Sequence, residues 1–231
     1  MTMLDEPATT PAGNPFPFSF DDPTDKPVIV TRRRIDKVLI AFGVLAAVVF
    51  AVAGALLTWG ANFSDDYVHD ELAAQRITMP DADTLREEGL EQYVKWAGTP
   101  LDSGAKAEAY AKYIDGHLEN IGGGLTYAEY GAVENEAKAA LTAAQEAGAS
   151  ADEVAALQQA ANDATNTRNT LFKGETLRGL LLSAYAWSTV GQIAGYAAIG
   201  AFVASGLMAV LVAMGVVHYV RMTAHKANAT A

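Results

Sequence analysis

Apolar and polar positions separate along this chain into two long uncharged runs and an acidic stretch between them. Val38 to Trp59 holds no charged side chain, and neither does Gly179 to Val217. A bilayer hydrocarbon core is about 30 Å thick and is crossed by ~20 apolar helical residues. Both runs are long enough. Arg32, Arg33, Arg34 and Lys37 precede the first, while His218, Arg221, His225 and Lys226 follow the second. Cations gather on the cytoplasmic flanks of membrane spans. The pattern therefore predicts a multi-pass plasma-membrane protein with both termini cytoplasmic and residues 62–176 outside.

The second run is too long for a single crossing, because its 39 residues reach about 58 Å as a helix. No Pro, Asn or charged turn divides it, and an added span would leave the C-terminal cations outside. One long helix starting near Thr170 is expected, with a first half above the membrane and a crossing from about Ala194 to Tyr219. Tyr185, Trp187 and Tyr196 suit the outer interface, as Trp59 does for the first span, and Tyr219 suits the inner one. Ala51-Val52-Ala53 has the small-x-small form of a signal-peptide cleavage site. The 37 residues before the apolar run and its continuation to Leu57 favour an uncleaved anchor.

The expected fold is thus an all-α membrane protein with transmembrane helices at about 38–60 and 194–219. The second is continuous with a long extracytoplasmic helix, and a helical extracytoplasmic domain completes the chain. Five segments follow: a disordered Pro-rich tail (1–30), the first span with its basic flank (31–61), the outer domain (62–176), the long helix (177–220) and a short tail (221–231). In the first tail, Asn14-Pro15-Phe16-Pro17-Phe18-Ser19-Phe20 is the one adhesive element.

Within the outer domain, Thr84–Glu87, Thr126–Glu129 and Ser150–Glu153 each fit the capping box, in which a hydroxyl and a carboxylate three residues on satisfy free amides. Pro80 and Pro100 break the early part into short elements. A helix from Asp102 or Ser103 to about Asn120 carries Tyr110, Tyr113, Ile114, His117, Leu118 and Ile121 on one face, and Gly122-Gly123-Gly124 ends it. Residues 127–147 and 151–172 form an alanine-rich hairpin. Val154, Leu157, Ala161, Ala164, Arg168 and Leu171 step by three and four, a heptad seam. In the spans, Gly43, Ala47, Ala51 and Ala55 recur every four residues, and Gly191 and Gly195 share that spacing. Small side chains let helices approach closely in lipid, where association gains no hydrophobic drive.

Charge narrows the partners. Residues 62–176 carry 21 acidic against 8 basic side chains, a net of −13. Such a segment is repelled by nucleic acid and anionic lipid, so nucleic acid is excluded as a partner, and the charge reads as keeping an exposed helical domain soluble. No cysteine is present, which removes disulfides, thiolate zinc sites, a catalytic Cys and CxxCH haem attachment.

Chemistry has few footholds. His69 with Asp65, Asp66, Asp70 and Glu71 is oxygen-rich enough for a divalent cation, but adjacent helical residues cannot all face one ion. An acidic first turn at a helix N-terminus is the plainer reading. His117 with Tyr110 and Tyr113 is a weak ligand candidate, and it reads more simply as a core histidine bonded to a carbonyl. No phosphate loop, nucleophile elbow, HExxH, DxDxDG or kinase signature occurs, and no cofactor is implied. No ionisable residue lies inside either span, which argues against a proton or ion route within one protomer.

At Ile121-Gly122-Gly123-Gly124-Leu125-Thr126-Tyr127 and at Leu171-Phe172-Lys173-Gly174-Glu175-Thr176-Leu177-Arg178-Gly179-Leu180-Leu181-Leu182, the chain resembles a group of uncharacterised two-span membrane proteins of actinobacteria. The resemblance covers about residues 30–220 and implies a plasma-membrane protein with a domain outside the cytoplasm. It brings no activity. The expectation is a non-enzymatic accessory, scaffold or interaction subunit, whose partners are the bilayer and another membrane or envelope protein, or a second copy. Two alternatives stand: an extracytoplasmic sensor of a small ligand or cation, and a metal-assisted hydrolase using His69 or His117. Phe172 to Gly179 is expected to be the hinge between domain and anchor, with Glu175 pairing with Arg178.

Overall fold

The computed structural model describes residues 32–228, with side chains as far as Thr223. The aromatic motif Asn14–Phe20 lies outside the described residues. The elements are α1 (Arg32–Ala74), α2 (Ala82–Glu87), a 3-10 turn (Glu91–Trp96), α3 (Gly104–Gly122), α4 (Tyr127–Glu146) and α5 (Ala151–Asn228). Among the described residues there is no strand, only an antiparallel bridge between Thr78 and Pro100. The all-helical expectation therefore holds, and α1 and α5 are each long and apolar enough to cross a membrane.

α5 organises everything else. Its 78 residues extend about 117 Å at 1.5 Å per residue. The other long helices pack antiparallel along it in turn. α4 lies on its first third, where Glu134 meets Thr165 and Arg168. α3 follows, with Gly122 against Leu171 and Gly174 against Leu118. α1 covers the rest, from Ser64 beside Trp187 down to Ile40 beside Gly215. The upper part, formed by α2 to α4 with the ends of α1 and α5 beside them, is termed the head. The lower pair of α1 and α5 is termed the stalk.

The head core collects Val68 and Leu72 of α1, Met79 and Leu101 of the bridged loops, Ala107, Ala111, Ile114 and Leu118 of α3, and Leu171 and Leu181 of α5. The α3 positions step by four, three and four, which keeps them on one face. Ala161, Ala164 and Leu171 are buried as the heptad reading expects. Gly123, at φ 61°, ends α3 in the left-handed conformation that glycine adopts without steric cost.

Helix starts and ends differ from expectation in four places. The hairpin helix and the long helix expected near Thr170 are one unbroken helix from Ala151, and Phe172–Gly179 continues through it without a bend in secondary structure. No proline interrupts it, and Gly174 supplies the space that the Leu118 side chain fills. Boundaries at 61/62 and 176/177 therefore fall inside helices. α1 likewise runs on to Ala74, so Asp65–Glu71 lies in its last third and not in a first turn. Arg76, at φ 52°, turns the chain beyond it. α2 is capped by Asp81, whose carboxylate accepts from the Asp83 and Thr84 amides at 3.0 and 2.9 Å. Thr84 lies within that helix. The Thr126–Glu129 capping box is present in both directions, and the Ser150 hydroxyl accepts from the Glu153 amide at 3.3 Å.

Candidate functional site

The stalk seam is built from small residues. Ser64 Oγ donates to the Trp187 carbonyl at 2.6 Å, and Ser205 Oγ donates to the Ala47 carbonyl at 2.8 Å. A methyl added at Gly191 would lie 2.9 Å from Ser64 Cβ, and one at Gly54 would lie 2.9 Å from the Phe202 ring. At Gly43 it would lie 2.6 Å from Val212 Cγ2, whereas at Gly195 it would sit in ordinary contact, 3.8 Å from Ala61 Cβ. Gly43 and Gly191 are buried, Ala47, Ala51 and Gly195 are half-buried, and Ala55 is exposed. A strict four-residue step drifts by about 40° per step around a helix of 3.6 residues per turn. The ladder from Gly43 thus leaves the seam by Ala55, and Gly54 takes its place. At the lower end Lys37 Nζ sits 5.9 Å from the centre of the Tyr219 ring.

The opposite faces of both stalk helices are apolar and uncovered. Val38, Leu39, Phe42, Leu45 and Leu56 on α1, and Ile199, Val203, Leu207, Val210 and Leu211 on α5, are all exposed. Above them Trp59, Phe63 and Tyr67 stack in a column along α1, with ring centroids 5.8 and 6.2 Å apart.

A polar clamp fixes the hairpin. The Glu134 side chain is only 7% exposed. It accepts from Lys138 Nζ at 2.5 Å, Arg168 Nη1 at 2.7 Å and Thr165 Oγ1 at 2.9 Å. Donation by Lys138, then by Arg168 and Thr165, holds its carboxyl down at about 2. Arg168 lies over the Tyr127 ring at 4.7 Å and against Gly131; its bond to Glu134 raises its own pKa. Both carboxylate oxygens are satisfied, as a buried acid requires, the half-exposed Lys138 and Arg168 keep contact with solvent, Arg168 Nε is left without a partner among the described residues, and the cluster orders α4 on α5. Arg178 pairs with Glu175 at 3.1 Å and with Asp115 at 3.3 Å, which ties α3 to α5.

Among the described residues, neither His69 nor His117 stands in a group of metal-binding side chains. Asp65, Asp66 and His69 are exposed, and His69 Nδ1 lies 3.0 Å from the Asp102 carbonyl. Among the described residues no group of three metal-binding side chains converges. His117 is a surface residue, 57% exposed, with Nδ1 3.9 Å from Glu88 Oε1. It is not the core histidine that the helical stripe suggested; the buried face of α3 is rotated toward Ala107, Ala111 and Leu118. Tyr110, Tyr113 and His117 form a row of tilted rings with centroids 5.6 Å apart. Tyr110 is half-buried, and that desolvation, with Tyr113 adding to it, raises its pKa. None of these three lines the cleft described next.

That cleft, of about 340 Å³, opens between the last turns of α1 and the middle of α5. Val68, Leu72, Ile77, Leu181 and Ala184 make its floor. Tyr67, Leu177, Leu180 and Trp187 form its rim, and Glu71, Gln75 and Ser183 are its polar groups. Its walls come from segments 100 residues or more apart, so no local sequence pattern marks it. The signal available was Val68 and Leu72, apolar at a four-residue step within an acidic stretch.

No protein-family model matches this chain, no curated protein aligns with it significantly, and no solved structure matches it.

Proposed function

We propose that this chain is a non-enzymatic integral protein of the plasma membrane. α1 and α5 cross the bilayer as an antiparallel pair, both termini are cytoplasmic, and the acidic helical head stands outside as an accessory, scaffold or interaction subunit of a larger membrane or envelope complex. One observation carries the membrane reading. The most apolar 18-residue windows of α1 and α5 are only 11% and 0% buried within the chain. The core helix of a water-soluble protein is buried, and uncovered apolar faces of this extent need lipid or protein around them. The small-residue seam is the kind of contact that joins helices in lipid.

The accessory role rests on what the head offers: helices fastened by a buried clamp and mounted on a helix continuous with the anchor. Purification in mild detergent followed by mass spectrometry of co-eluting proteins tests it. A recurrent membrane or envelope partner supports the reading, and a well-behaved monomer with nothing bound counts against it. The sensor reading is favoured by one feature, the unbroken course of α5 from the head through the stalk, since a rigid helix passes displacement along its length.

A further inference from the structure

We propose that the cleft between α1 and α5 binds a small amphiphile bearing an ammonium group, its apolar body between Leu72, Leu180 and Leu181 and its cation against Glu71. The walls select the body. Leu180 is 65% exposed and Trp187 55%, at a level where α1 has already turned polar with Asp65 and Asp66. Val68, at the near end of the floor, stands eight residues beyond Gly60, about 12 Å further along the helix, so bilayer hydrocarbon does not fill the cleft. An apolar concavity in contact with water gains free energy in proportion to the area that a ligand covers.

Size excludes the larger candidates. A volume of about 340 Å³ lies at the lower end of ligand pockets. One turn of a partner helix, about 10 Å across and 5.4 Å long, takes roughly 420 Å³, more than the cleft holds.

Charge selects the head group. Glu71 is the one charged residue lining the cleft, and among the described residues it has no hydrogen bond or ion pair. No Lys, Arg or His lines the cleft, so an anionic ligand meets only repulsion. Tyr67, one turn from Glu71 on the same helix, and Trp187 also line the cleft, and aromatic rings add to a carboxylate's attraction for an ammonium group. Gln75 and Ser183 remain to bond a linking ester, amide or hydroxyl. The ammonium could arrive on a lipid head group from the adjoining leaflet or on a water-borne amphiphile; the chemistry is the same. The proposal does not require the membrane reading, since the cleft is formed by the protein alone.

The test uses the full chain in dodecyl maltoside micelles. Trp59→Phe and Trp96→Phe leave Trp187 as the sole tryptophan reporter, and hexyltrimethylammonium, hexanesulfonate and hexanol are the probes. The expected result is a saturable change in Trp187 emission with hexyltrimethylammonium and binding at least ten-fold weaker for hexanesulfonate. Glu71→Gln is expected to weaken the ammonium probe five- to ten-fold and to leave hexanol unchanged, and Ala184→Phe, which fills the floor without adding a second tryptophan, to abolish binding. Equal response to both charges, indifference to Glu71→Gln, or no saturable change overturns the proposal. Native mass spectrometry of the wild-type chain from mixed phosphatidylethanolamine and phosphatidylglycerol nanodiscs is independent of the tryptophan variants. Glu71-dependent retention of phosphatidylethanolamine supports a lipid source. Its absence alongside a positive titration supports a water-borne one.

Discussion

Gly191 and Gly195 sit four residues apart in one helix, so propensity and composition treat them alike, yet the structure assigns opposite signs to the same substitution. A methyl at residue 191 falls 2.9 Å from Ser64 Cβ, 3.0 Å from Ser64 Oγ and 3.4 Å from the Ala61 carbonyl. It pushes on the serine whose hydroxyl bonds the Trp187 carbonyl at 2.6 Å. Overpacking of this kind costs about 1–3 kcal/mol, and loss of the hydrogen bond about 1 more. Replacing a helical glycine with alanine returns about 1 kcal/mol. Gly191→Ala is therefore expected to destabilise the helix pair by about 1–3 kcal/mol. At residue 195 the methyl meets Ala61 Cβ at 3.8 Å, an ordinary contact, so Gly195→Ala is expected to be neutral or to stabilise by up to about 1 kcal/mol. Reversible unfolding in mixed dodecyl maltoside and dodecyl sulfate micelles measures both. Equal effects, or a larger loss at 195, would refute the seam register and the antiparallel pairing drawn from it.

The chain has no cysteine, so an Ala61→Cys, Gly195→Cys double variant provides a clean second check. The 3.8 Å Cβ separation matches the disulfide mean of about 3.8 Å, and oxidation is expected to close the bond without reducing helix content. Acid should loosen the hairpin: Glu134 titrates at about 2 when folded and at an ordinary 4.5 otherwise. Its contribution is full above about 4.5 and is lost as pH falls toward 2. The thermal midpoint by circular dichroism should drop across that window in the wild type and less steeply in Glu134→Gln. Leu171→Ala, at a fully buried position between Gly122 and the rest of the core, should cost about 2–5 kcal/mol in chemical unfolding. Thr126→Ala removes the α4 cap and should cost about 1 kcal/mol in the same assay.

Periodicity made most of the fold legible. Uncharged runs marked α1 and α5, the three-and-four step from Val154 to Leu171 marked the hairpin seam, and Gly122–Gly124 marked the end of α3. Capping was read correctly where a hydroxyl and Glu129 bracket a clear stop. It was misread at Thr84, because Asp81 three residues earlier is the better acceptor and the short helix begins there. Glycine misled in the other direction. Gly174 and Gly179 suggested a hinge, but Gly174 accommodates Leu118 of a helix more than fifty residues away, which no local pattern reveals. The same limit applies to His117: the stripe Tyr110–Tyr113–His117 has helical spacing, and only the packing of α3 on α5 decides that Ala107, Ala111 and Leu118 face inward. The cleft was out of reach for a related reason. It needs the register between α1 and α5, which is set by Ser64, Gly191 and Gly195 meeting across the seam.

Two helices paired through small residues, apolar on their outer faces and tipped by an acidic head, define the account, and the absence of cysteine offers the most direct test. Single cysteines at Thr2, at the exposed head position Ala139 and at Ala231 are each labelled on intact cells with a membrane-impermeant maleimide. Reaction is expected at residue 139 alone, with residues 2 and 231 reacting only after permeabilisation. External reaction at either terminus, or protection of residue 139, would contradict it.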